Sequence, residues 1–202
     1  MFKQKLSLQE YLSIGYVYLV ILGIISEVIY FKFLGVDILN YASISDILLS
    51  PLGVVTSKPI LFILFVVILT MTYLFIMFGM PKMHQKFRNK EWYKKISNIE
   101  KSDKKYEEMK KNKGIPFLLI MIMSMFVGMG VGRGGSIKER LKNNNFELDH
   151  KVTFSDGIVK NIYIIGQNSM YLFYVLEGEK EVSISPISPN IKSIKNIPKE
   201  EE

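Results

Sequence analysis

Residues 82–113, KMHQKFRNKEWYKKISNIEKSDKKYEEMKKNK, carry twelve Lys/Arg against five Asp/Glu. The local surplus of +7 equals the formal net charge of the whole chain. On either side lie uncharged apolar runs, Ile60–Met80 and Ile115–Gly132. A short positive segment between two apolar runs reads as a loop joining two membrane spans, and the positive-inside rule places it in the cytoplasm.

A third apolar run, YLSIGYVYLVILGIISEVIYFKFL (Tyr11–Leu34), precedes both. At ~1.5 Å per helical residue each run approaches or exceeds the ~30 Å hydrocarbon thickness of a bilayer. The expected fold is therefore an α-helical integral membrane protein with about three transmembrane helices. Two lysines before the first run imitate a signal peptide, but the run is too long and has no small-residue cleavage site, so it is read as a retained span.

Outward from the spans, the expected layout is a tail (1–10), span one (11–34), a connection (35–59), span two (60–80), the basic loop (81–114), span three (115–132), a linker (133–145), a β domain (146–197) and a tail (198–202). The connection holds Asp37 and Asp46 and no Lys or Arg before Lys58, so it is assigned to the side away from the cytoplasm. In it Ile38, Leu39, Ile44, Ile47 and Leu48 recur at helical intervals, predicting a short amphipathic helix that stops near Ser50-Pro51.

The basic loop also reads as helical, with Glu91/Lys95 and Glu100/Lys104 in the favourable i,i+4 order. Trp92, Ile96, Ile99 and Tyr106 follow a near-heptad seam interrupted by Asp103. That seam is an amphipathic face resting on lipid or on the bundle, or a docking helix for a cytoplasmic protein partner. The lysines suit anionic lipid headgroups, and lipid is preferred to nucleic acid as the partner of this charge.

In span three Ser124, Gly128 and Gly132 recur every four residues, a spacing that brings helix backbones close in lipid. It predicts packing against span one or between copies, and a homo-oligomer. Gly130, Gly132 and Gly135 also satisfy GxGxxG, but with no strand before them the phosphate-binding reading is set aside.

Residues 146–197 change character. Runs such as KVTF, IVKNIYIIG, YLFYVL and EVSISPI are rich in β-branched and aromatic residues and are separated by turn signals at 155–157, 166–168 and 177–179. Four or five antiparallel strands in so few residues predict a small, partly open barrel of SH3-like or Sm-like size. Its aromatics Tyr163, Tyr171, Phe173 and Tyr174 are either core or a stacking platform; alternation leaves Tyr163 and Tyr174 as candidates for exposure.

Orientation contains a conflict. Three crossings with 82–113 inside put the N-terminus inside and the β domain outside an inner (plasma) membrane. Arg133, Lys138, Arg140 and Lys142, opposed only by Glu139, follow span three and also favour the cytoplasm. The larger cluster and the acidic connection decide for an external β domain.

Chemistry-bearing residues are sparse. Glu27 is the only acid within the three runs, and is either satisfied at the interface with help from Tyr30 and Lys32 or part of a polar pathway. The absence of cysteine excludes disulfides and thiolate chemistry, and His84 and His150 fall in separate segments. No metal site, cofactor or catalytic residue is expected, and the chain reads as a non-enzyme. The layout resembles that of small bacterial inner-membrane proteins, membrane subunits of anti-phage systems among them. The leading functional expectation is a self-associating membrane module presenting a β domain for sensing or partner binding. The alternatives are a homo-oligomeric channel or membrane-disrupting effector, such as a membrane component of a bacterial defence system, and an accessory subunit of a larger membrane complex.

Overall fold

A computed structural model describes residues 7–56, 59–111 and 115–198. Most of the two expected tails, and Lys58, lie outside the described residues. Among the described residues three helices are long and apolar enough to cross a membrane: Leu8–Phe33 (26 residues), Val66–Phe87 (22) and Ile115–Lys142 (28). They precede a five-stranded antiparallel sheet. The chain divides into two compact units, residues 1–54 with 126–202, and residues 55–125.

In the first unit, α1 (Leu8–Phe33) starts at a capping box, in which the Ser7 hydroxyl accepts from the Glu10 N–H and the Glu10 carboxylate accepts from the Ser7 N–H. It ends in a Schellman motif. Gly35 takes a left-handed φ of +77°, so that Val36 N–H reaches Phe31 O and Gly35 N–H reaches Lys32 O. This reversal returns Val36 and Ile38 onto the end of their own helix, where both are buried.

After a 3₁₀ turn (Ile38–Asn40), α2 (Ile44–Thr56) does not stop at Ser50-Pro51 as expected; Pro51 lies inside it. Proline removes the N–H that would bond to the carbonyl four residues back. Here that carbonyl, Ile47 O, accepts instead from the Ser50 hydroxyl at 2.9 Å. α7 (Ile115–Lys142) likewise overruns the expected end of span three and continues as helix through most of the linker.

α1 and α7 run parallel and meet backbone to backbone. A Cβ on Gly130 would lie 2.6 Å from Ser26 O, and one on Gly134 would lie 3.0 Å from Tyr30 O. α2 meets α1 the same way, through Gly23, where a Cβ would lie 2.6 Å from Pro51 N. Small residues at such crossings let helices approach without cost in side-chain volume.

The sheet has strands β1 (His150–Phe154), β2 (Val159–Gln167), β3 (Tyr171–Leu176), β4 (Ser183–Pro186) and β5 (Ile191–Asn196), in the order β4-β3-β2-β1-β5. The expected barrel is corrected: the sheet is not closed, and β4 and β5 are its two edges. β4 has only four residues and ends in Pro186, which limits the pairing it can offer.

Both sheet faces are covered near β3. Val152, Ile162, Leu172 and Tyr174 form one cluster, closed by Ile187, Ile191 and Ile194 among others. Ile165, Phe173 and Val175 share the second with Tyr30, Phe31, Val36, Ile38 and Leu141. Leu172 and Val175 stand three residues apart and so face opposite sides, which puts Tyr174 in the core.

In the second unit, α3 (Pro59–Leu74) passes through a π turn (Phe75–Gly79) into α4 (Met80–Phe87), followed by α5 (Glu91–Ile96) and α6 (Ile99–Lys111). The helix therefore runs on past residue 80, the expected end of span two. A π turn changes the hydrogen-bond register immediately before Pro81, whose missing N–H an unbroken α ladder would require.

Candidate functional site

A cavity of about 290 Å³ lies in the first unit where α1, α2, α7 and the β2–β3 turn meet. Its size is near the lower end of the ~300–1,000 Å³ typical of small-molecule sites. Ile24, Ile38 and Leu49 contribute apolar wall; Glu27, Arg133 and Asn168 contribute polar atoms.

Glu27, the expected intramembrane acid, faces this cavity. Its partner is Arg133 of α7, whose Nη1 donates to Oε1 at 3.5 Å. Neither side chain is sealed off: Glu27 is 26% and Arg133 37% exposed. The guanidinium also sits over the Tyr30 ring, 4.6 Å from its centroid. Tyr30 is occupied elsewhere, because its hydroxyl donates to Ile165 O at 2.9 Å. That carbonyl is available because a β-bulge between Ile164 and Gly166 leaves Ile165 outside the β2–β3 ladder.

The far wall is fastened by Asp46. Ser43 caps α2 in a reciprocal arrangement: its hydroxyl accepts from Asp46 N–H, while its own N–H and hydroxyl donate to Asp46 Oδ2. The same carboxylate receives Ser169 N–H at 3.0 Å and the Ser169 hydroxyl at 2.9 Å, tying α2 to the β2–β3 turn. Asn168 Nδ2 adds a bond to Tyr41 O. Desolvation pushes the Asp46 carboxyl up, but the hydrogen bonds from Ser43 and Ser169 outweigh it and hold it below its ordinary value. Asp46 was legible as charge on the connection; its fixed partner, more than a hundred residues away, was not.

The face Ser124/Gly128/Gly132 is not what brings α1 and α7 together. A Cβ on Gly128 or Gly132 would meet nothing within 4 Å among the described residues, and the Ser124 hydroxyl bonds back to Ile120 O. The contact uses the adjacent register, Gly130 and Gly134. The signal that could have found it is the same i,i+4 glycine spacing, shifted by two residues.

In the second unit the basic segment has an organised centre. His84 of α4 is 4% exposed. Its Nε2 is 2.7 Å from Asp103 Oδ1 and its Nδ1 is 2.9 Å from the Tyr93 hydroxyl. Arg88 reaches the other Asp103 oxygen at 3.3 Å, and Tyr106 packs on the imidazole at 4.9 Å. Ionised Asp103 only accepts, so Nε2 carries a proton; in the neutral ring Nδ1 then accepts from Tyr93. Nearby, the Ser97 and Ser102 hydroxyls bond to each other at 2.8 Å. The arrangement braces α4, α5 and α6 together.

Asp103, which interrupts the expected seam, is thus an inward-facing member of it. Tyr106 is turned to His84, while Trp92 packs on Phe87 at 5.5 Å and stays half exposed. Ile99 is partly buried, and the Ile96 side chain lies outside the described residues. Among the described residues no group of three or more His, Cys, Asp or Glu could hold a metal ion.

Three of the four β-domain aromatics pack toward the helix junction, while Tyr174 lies in the opposite cluster against Phe154. Phe173 packs on Phe31 at 4.8 Å, Tyr171 on Tyr41 at 5.2 Å and Tyr163 on Phe146 at 5.4 Å. Comparison with family models, with curated proteins and with solved structures finds no match.

Proposed function

We propose that this chain is a non-enzymatic, self-associating membrane module that holds its sheet against the ends of two spans, for sensing or for binding a partner. The observation that carries this reading is the double attachment of the sheet. It shares a core with the end of α1 through Phe31 and Phe173, and it is tied to α2 through Asp46 and Ser169. A ligand that favours one position of the β2–β3 turn therefore biases how α2 lies on α1, which is what transmission requires.

The basic segment binds anionic headgroups on the cytoplasmic side, and the sheet lies outside. Support comes from the parallel course of α1 and α7: if both cross, the chain between them must return across the membrane. The ion pair with Glu27 also takes Arg133 out of the positive surplus after span three, which eases the orientation conflict. Self-association uses the Gly128/Gly132 face, left open while Gly130 and Gly134 pack inside the chain.

Topology tests the reading. Single cysteines are introduced at exposed Lys104 and exposed Ser188, in a chain with no native cysteine. An impermeant thiol reagent on intact cells should label Ser188→Cys alone. Labelling of neither site before permeabilisation, and of both after it, overturns the external sheet.

A further inference from the structure

The Glu27/Arg133 pair is built unlike a closed structural salt bridge. Its single contact is long, at 3.5 Å, where charge-assisted N–H···O bonds favour about 2.7–2.9 Å. Among the described residues Arg133 donates this one hydrogen bond and otherwise rests on the Tyr30 face, so a guanidinium with five N–H groups keeps donors to spare. Both charged groups line a cavity whose α1–α2 side sets Ile24, Ile47 and Leu49 beside Glu27 and Asp46, and whose β2–β3 end offers Gln167 and Asn168.

Position sharpens this. On the membrane reading proposed above, Arg133 follows the last residue of the apolar run Ile115–Gly132 and so sits at the boundary between hydrocarbon and headgroups. Ile24 and Leu49 lie on the hydrocarbon side. The cavity is thus amphipathic along the direction in which a lipid is amphipathic.

We infer that this cavity holds a phospholipid whose head group carries both a phosphate and a primary amine, with the phosphate on Arg133, the ammonium on Glu27 and the first methylenes between Ile24 and Leu49. The charge pattern selects this class. A purely anionic head group would gain Arg133 but face the Glu27 carboxylate, with Asp46 also in the lining. A zwitterion satisfies both members of the pair. Arg133 suits a phosphodiester because its planar fork offers two parallel N–H donors.

The test uses the full chain in detergent, delipidated and then titrated with phosphatidylethanolamine or phosphatidylglycerol of matched acyl chains, bound lipid being counted by native mass spectrometry. Wild type should retain phosphatidylethanolamine about tenfold more strongly, the scale of one charge-assisted hydrogen bond in a partly desolvated site. Glu27→Gln should erase that preference, and Arg133→Gln should weaken retention of both lipids. Equal retention by wild type, or a preference that survives Glu27→Gln, overturns the inference. Leu49→Trp fills the apolar side from a residue 57% exposed and leaves the charges alone. It should lower retention even if the charge variants fail to fold, and undiminished retention in Leu49→Trp also overturns the site. Alkaline carbonate extraction separates the two readings. Release of the chain from membranes rejects the membrane module, whereas an integral chain without lipid preference rejects this site alone.

Discussion

A Cβ placed on Gly130 would lie 2.6 Å from the backbone carbonyl oxygen of Ser26, closer than any side chain can sit. The obstacle is backbone, so the helix itself must move to relieve it. Gly130→Ala should therefore loosen α1 from α7 and lower stability in detergent by ~1–3 kcal/mol, as overpacking does. Gly128→Ala, one half-turn away with open space around it, should leave thermal stability unchanged or raise it by up to ~1 kcal/mol through helix propensity. Gly128→Leu should instead dissociate oligomers, measured as mass in detergent; unchanged mass removes that face from self-association.

Ser26 gives the opposite sign. Its hydroxyl is fully buried and has no hydrogen-bond partner among the described residues. Ser26→Ala removes an unsatisfied polar atom and little volume, so it should stabilise the helix pair by ~1 kcal/mol. A drop in melting temperature would mean that the hydroxyl has a partner.

Tyr30 links α1 to the sheet through its buried hydroxyl and the bulge carbonyl of Ile165. Tyr30→Phe keeps the ring under Arg133 but strands that carbonyl, at a cost of ~1–3 kcal/mol. Hydrogen exchange should rise in β2 around residue 165 before it rises in β1; uniform exchange across the sheet would contradict this.

Acid should release the α2 latch. The Asp46 carboxyl is held below its ordinary value of 3.8, so its contribution is fully present above the unfolded-state value and is lost as pH falls through the depressed folded value. Limited proteolysis of the 41–46 segment should stay flat from neutral pH down to the ordinary carboxylate range and increase only in stronger acid. Asp46→Ala should open the segment at neutral pH, losing the carboxylate half of the reciprocal cap with Ser43 as well as the bonds to Ser169. Unchanged cleavage in that variant would rule out the latch.

The His84 cluster should govern the basic segment. Asp103→Ala leaves a nearly buried imidazole without one partner and Arg88 without its carboxylate, a loss of ~1–3 kcal/mol from the local brace. Trypsin should then cleave faster among residues 88–95 while the sheet remains resistant. Equal cleavage in both chains would show that α4, α5 and α6 are held by other contacts.

The helical and sheet halves were legible because each follows from composition over a window: apolar runs of span length, then short β-rich runs punctuated by Asp156-Gly157 and Glu177-Gly178. Element ends were less legible. Pro51 and Pro81 each oppose a continuous helix locally, yet the Ser50 hydroxyl takes the carbonyl that Pro51 leaves and a π turn shifts the ladder just before Pro81. Barrel closure was not legible either, since it depends on whether two edge strands meet.

By itself the sequence determined that the chain has three helices of membrane length, a basic segment between the second and third, and a separate antiparallel sheet, because hydropathy, charge and turn chemistry act over neighbouring residues. Tertiary structure alone decided which glycines carry the α1–α7 contact, that Glu27 is answered by Arg133 and not by Lys32, and that Asp46 holds Ser169. Each of these joins residues far apart in the chain, where no local spacing records which side chains the packing of helices and sheet will bring within hydrogen-bond reach.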